Sequence, residues 1–209
     1  SPVDLGHEAI RVAVSGARVL VTGAGGSIGS EICRQLLALE PTQLVLLEQA
    51  ENSLFHIHRE LVALPAAARV EVVPCIADIT DEARIAALFD SYQPQLVFHA
   101  AAHKHVPMME WNVGEAIKNN VFGTQNVARA ARAANVAKFV MISTDKAVNP
   151  TSVMGCTKRV AELVVQSMNS PGSTQFITVR FGKVLGSAGS VIPLFKEQIA
   201  RGGPVTVTH

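Results

Sequence analysis

From Ala17 onward, short apolar runs alternate with amphipathic segments of helical spacing, and the first run is stopped by glycines: ARVLVTG leads into AGGSIGSEICRQLLALE. Strands that are apolar on both faces and regularly separated by helices predict a parallel sheet covered on both sides. The runs QLVLLE, RVEVVPC, QLVFHAA, AKFVMIS and QFITVRF continue the pattern, giving six predicted strands. Between them lie ENSLFHIHRELVAL, DEARIAALF with a Thr80-Asp81 cap signal, one long helix around GEAIKNNVFGTQNVARAARAA, and TSVMGCTKRVAELVVQSM. Residues 1–16 read as a lead-in with a short helical piece. The expectation is a doubly wound α/β (Rossmann) domain over 17–209, with ligands at the carboxyl ends of the strands.

Composition narrows the partners. With 18 basic and 17 acidic residues, the net charge of +1 offers no field for nucleic acid or an anionic membrane surface. Cys33, Cys75 and Cys156 are odd in number and form no C-x-x-C pair, so reduced thiols are expected. No apolar run is long enough to cross a bilayer.

The glycine motif carries the first functional expectation. Gly23, Gly26 and Gly29 follow a strand and open a helix, which lets backbone approach a pyrophosphate, while the helix-start N–H groups, including Ser27 and Ile28, hold the anion. Glu48 ends the second strand, where a carboxylate can accept from both adenosine ribose hydroxyls and repel a 2′-phosphate. NAD is therefore expected over NADP. Asp78, followed by Ile79, either meets the adenine amino group or caps the next turn.

Further strings carry a resemblance: HAAAHKHVPMME at 99–110, STDKAVNPTSVMGCTKR at 143–159 and RFGKVLGSAGSVIPLF at 180–195. Together with the glycine motif, they resemble the extended short-chain dehydrogenase/reductases. Within these, the chain is similar to the membrane-anchored UDP-N-acetylglucosamine 4,6-dehydratases of polysaccharide and glycan biosynthesis. The resemblance implies a soluble chain cut from a longer protein that is anchored at the cytoplasmic face of the inner membrane. It also implies further substrate-pocket residues beyond His209, and it leaves homo-oligomerisation open.

The implied reaction moves hydride from C4 of the sugar to NAD, eliminates water across C5 and C6, and returns the hydride to C6. Asp145 is assigned as acid toward the C6 hydroxyl and Lys146 as base at C5, a pairing that burial would favour by disfavouring charge on both groups. The superfamily's usual Tyr-x-x-x-Lys appears here as Met154 and Lys158. Thr144 is expected to orient the C4 oxygen, and Lys158 to hold the nicotinamide ribose. Met154 packs against sugar or nicotinamide, or is core filler.

By the same resemblance Ala100, Ala101, Ala102 and Asn120 belong to the cofactor site, with Asn120 supporting the active-site strand. Lys104 and His105 line the sugar pocket. Lys183 replaces the family's usual Asn and, with Ser187 and Ser190, reaches the diphosphate; alternatively the serines cap a helix beginning near Val191. No metal is called for by this chemistry. Two other readings stay open: a UDP-sugar 4-epimerase, and a non-catalytic NAD-binding module.

Overall fold

The structure, a computed structural model, describes residues 7–182. The apolar runs form six parallel strands: β1 (Arg18–Thr22), β2 (Gln43–Glu48), β3 (Glu71–Ile76), β4 (Leu96–His99), β5 (Lys138–Thr144) and β6 (Gln175–Phe181). Their order across the sheet is β3-β2-β1-β4-β5-β6. The chain builds outward from β1 to β3, then crosses back to lay β4 on the other side of β1. At that switch point neighbouring connections leave in opposite directions and open a crevice at the strand ends.

Alternation along the strands distributes side chains to two cores. Val19, Val21, Leu44 and Leu46 pack against Cys33, Leu36 and Leu37 of α2 (Ser27–Leu37) and Leu54, Ile57 and Leu61 of α3 (Glu51–Val62). Leu20, Val45, Leu47, Phe139 and Met141 face the opposite layer, made by α4 (Glu82–Tyr92), α7 (Thr124–Ala133) and α8 (Val153–Ser167). Both faces of the central strands are thus dry, which explains why they read as continuous apolar runs. Each fully buried Leu or Phe contributes roughly 1.5–3 kcal/mol of transfer free energy. The lead-in supplies α1 (His7–Val14), whose Val14 reaches the first core.

The chain departs from the expectation between β4 and β5. In place of one long helix there are α5 (Val106–Trp111), α6 (Val113–Ile117), a π-helical turn over Lys118–Gly123, and then α7. The wider turn carries two buried amides: Asn119 lines the crevice and donates to Asn120 Oδ1, while Asn120 takes its other partners from outside the helix. On the same turn, a Cβ on Gly123 would lie 2.6 Å from Ile79 Cδ1, so any larger residue there would have to displace that buried side chain. Lys183, Ser187 and Ser190 lie outside the described residues.

Candidate active site

At the carboxyl ends of β1, β2 and β4 lies a cleft of about 230 Å³. Of the residues expected to hold a cofactor, Gly23, Gly26, Glu48, Ile79, Ala100, Ala101 and Ala102 line it. His103, which neighbours Lys104 in the run expected to line the sugar pocket, lines it as well, as do Gly25, Gln49, Ser53, Ala77 and Asn119, which the sequence did not single out. Gln49 directly follows the end of β2, so the strand-end rule could have reached it, whereas Ser53 lies in the first turn of α3.

Backbone geometry explains the glycines. Gly23 has φ +67°, and a Cβ there would sit 2.7 Å from Ala101 N. A Cβ on Gly29 would collide with the Gly23 carbonyl, so α2 can start tight against β1 only with glycine at that position. Gly26 caps α2 without any side-chain bond, and the helix start opens beside the cleft. Ser27 and Ile28 form its first turn.

The Glu48 carboxylate is oriented by three backbone donors: Gly25 N at 3.1 Å, Gln49 N at 3.0 Å and Ala50 N at 3.1 Å. Asp78 is exposed and accepts from Thr80 N at 2.8 Å, the turn-capping arrangement, while Asp81 caps α4 by accepting from Arg84 N.

Beneath the cleft floor runs a buried chain. His99 is fully enclosed, with Nδ1 2.7 Å from Thr22 Oγ1 and Nε2 2.8 Å from Thr124 Oγ1. Ala101 N donates to the same Thr22 hydroxyl at 3.3 Å. Burial pushes His99 down to about 3, helped by the nearby Lys158 charge, so the ring is neutral at pH 7.

Asn120 is buried but does not line the cleft. Its Oδ1 accepts from His103 N at 2.8 Å, and its Nδ2 donates to His103 O and to Thr157 Oγ1, both at 3.0 Å. It therefore joins the loop after β4 to α8, next to Lys158. Lys104 and His105 are exposed on that loop.

The end of β5 carries the remaining candidates. Thr144 Oγ1 donates to Asp145 Oδ1 at 2.9 Å and accepts from Lys146 N at 3.3 Å, opening a short 3-10 turn. Asp145 and Lys146 face each other at 3.8 Å. Contrary to the expected burial, their side chains are 52% and 49% exposed: the turn stands on the rim, and no described element covers it.

Lys158 is enclosed and donates to Ile142 O at 2.9 Å; burial pushes it down to about 8, against the opposing pull of Glu162. Met154 packs in a small apolar cluster with Met109 and Ala116. The helix bearing both is tied down by caps, Ser152 Oγ accepting from Gly155 N and Glu110 Oε1 from Val153 N. Gly155 lets this helix start touch the Lys146 carbonyl, where a Cβ would come within 2.5 Å. Among the described residues no three His, Cys, Asp or Glu side chains converge as a metal site, and no helix is long and apolar enough to cross a membrane.

This crevice, on a parallel sheet with a glycine turn at its first strand, is that of a Rossmann fold, and the chain's relatives put it among the extended short-chain dehydrogenase/reductases. More narrowly, the chain belongs to the polysaccharide biosynthesis protein family, whose model matches residues 19–209. It is 57% identical over 209 residues to the capsular polysaccharide biosynthesis protein CapD of Staphylococcus aureus, covering 100% of this chain and 35% of that protein. It is 37% identical over 202 residues to a UDP-N-acetylglucosamine 4,6-dehydratase (inverting) of Campylobacter jejuni, covering 91% of this chain and 57% of the relative. Among solved structures, a double mutant of DesIV, the dTDP-glucose 4,6-dehydratase of Streptomyces venezuelae crystallised with NAD, superposes with TM-score 0.73 at 25% identity. That match covers 90% of this chain and 63% of the other. The chain thus spans between about a third and three fifths of the proteins it matches.

Proposed function

We propose that residues 17–209 are the NAD-binding catalytic part of a UDP-N-acetylglucosamine 4,6-dehydratase. The observation that carries this reading is the grouping at the end of β5: Asp145 and Lys146 on the rim, Thr144 bonded to Asp145, and an enclosed Lys158 behind them. An epimerase needs the hydride step but no adjacent acid and base, so this pair favours elimination.

The cleft suits a dinucleotide. Gly23 and Gly29 leave space that a Cβ would fill, Gly26, Ser27 and Ile28 present the helix start to a pyrophosphate, and Glu48 is aimed by three N–H groups toward the ribose position. A carboxylate held so firmly disfavours a 2′-phosphate, hence NAD rather than NADP. When bound, NAD supplies a hydride acceptor for C4 and the hydride returned to C6.

The chain's own groups do the rest. Lys158 holds the nicotinamide ribose and places positive charge near the C4 oxygen, which Thr144 orients. Lys146 takes the C5 proton and Asp145 gives a proton to the departing C6 hydroxyl; as hydride returns to C6, C5 takes up a proton that has exchanged with solvent. A sugar lying over the rim would exclude water from both groups, and loss of water disfavours charge on either. Met154 cannot move a proton, so the C4 proton leaves through Thr144, water or Lys158, while the thioether packs the wall beside them. Asn120 holds the β4 loop against α8.

The test is NMR of the full-length protein with UDP-N-acetylglucosamine and NAD in D₂O. A 4-keto-6-deoxy product deuterated at C5 is expected. Lys146→Ala should abolish C5 exchange while sparing NAD binding. An inverted C4 with C6 intact would establish an epimerase, and an unchanged sugar with NAD bound would leave only the binding module.

A further inference from the structure

Behind the rim, side chains from three elements converge on one carboxylate. Glu162 of α8 is 0% exposed. Its Oε1 accepts from Ser143 Oγ at 2.6 Å and Arg180 Nε at 2.9 Å; its Oε2 accepts from Arg180 Nη2 at 2.6 Å and Arg159 Nη1 at 3.0 Å. Ser143 and Arg180 are register partners across β5 and β6, so one carboxylate ties both strands to α8 at the same level. One turn earlier on the helix, Lys158 grips the Ile142 carbonyl. The helix therefore holds two consecutive residues of β5, Ile142 and Ser143, immediately before Thr144, Asp145 and Lys146.

A buried ion pair is a weak source of stability, because apolar replacements are often as stable. What it does supply is geometry: bidentate guanidinium–carboxylate contacts fix orientation as well as distance. Glu162 also opposes the effect of burial on Lys158, favouring the charged ammonium. Burial by itself would raise the Glu162 carboxyl, but the hydrogen bonds from Arg180, Ser143 and Arg159 outweigh it and hold the group down at about 2.

We propose that Glu162 is a positioning residue of this site, acting through Lys158 and Ser143 to set where the ammonium and the β5 end stand relative to bound dinucleotide and sugar. This rests on the reading of Lys158 as the ribose-holding group.

The experiment is a double-mutant cycle on NADH affinity, read by fluorescence titration of the full-length protein. NADH binding needs no turnover, so the cycle is informative whether or not a dehydratase product forms. Glu162→Gln, which keeps shape but removes charge, should weaken NADH about fivefold to tenfold in the Lys158 background and leave it unchanged in Lys158→Met. Equal losses in both backgrounds, or no loss in the first, would overturn the proposal. Should Lys158→Met itself leave NADH affinity untouched, the assignment of Lys158 fails and the proposal falls with it. If Glu162→Gln does not fold, as judged by circular dichroism, Ser143→Ala removes a single donor instead. It should cost about threefold in the Lys158 background only, and an equal loss in both backgrounds refutes the coupling.

Discussion

Acid should destabilise this fold through one enclosed imidazole. His99 lies between the hydroxyls of Thr22 and Thr124, and burial depresses it from 6.5 to about 3. A group depressed in the folded state binds protons more readily when unfolded. Its contribution is therefore fully present above pH 6.5 and is lost as pH falls toward 3. The full shift corresponds to roughly 5 kcal/mol, of which about 2 kcal/mol should be lost between pH 7 and pH 5.

Glu162 is depressed from 4.5 to about 2 and acts in the same sense, but its window opens only below 4.5, so pH 7 to 5 isolates the histidine. Urea unfolding at several pH values measures the slope. In His99→Gln, which keeps polar atoms between the two threonines, the stability at pH 7 should fall and the slope between pH 7 and 5 should flatten by about 2 kcal/mol. A variant whose slope matches the parent would show that His99 does not carry the acid sensitivity and would refute its neutral, enclosed state.

Two further perturbations probe the cleft and its supports. Gly29→Ala forces a methyl into the Gly23 carbonyl; it should lower urea stability by about 1–3 kcal/mol and weaken NADH by more than about tenfold, as read by fluorescence titration. Asn120→Ala leaves the His103 N–H and C=O without their partner, so a loss of about 2–3 kcal/mol in urea unfolding is expected, with the weakest hydrogen-exchange protection in the loop after β4.

The fold was legible because its signals are local. Apolar runs of strand length, glycines after β1 and caps such as Asp81 report on residues a few positions apart, and these placed the strands and the cleft. Adjacent Thr144, Asp145 and Lys146 were likewise found together because they are neighbours in sequence. The long helix before β5 was misjudged for a tertiary reason. Helical periodicity runs through Lys118–Gly123, but the turn there is wider, and the buried Asn120 amide on it takes partners 17 and 37 residues away.

Nor does residue type say whether an Asp-Lys pair is buried; only the packing of other elements leaves this one half exposed. The sequence by itself determined a parallel α/β sheet with a dinucleotide turn, since periodicity and glycine sterics act within a strand–turn–helix unit. The tertiary structure alone decided that His99 is neutral, that Met154 packs with Met109 and Ala116, and that Glu162 binds Ser143 and Arg180. Desolvation and long-range hydrogen bonds exist only once distant segments have closed over one another.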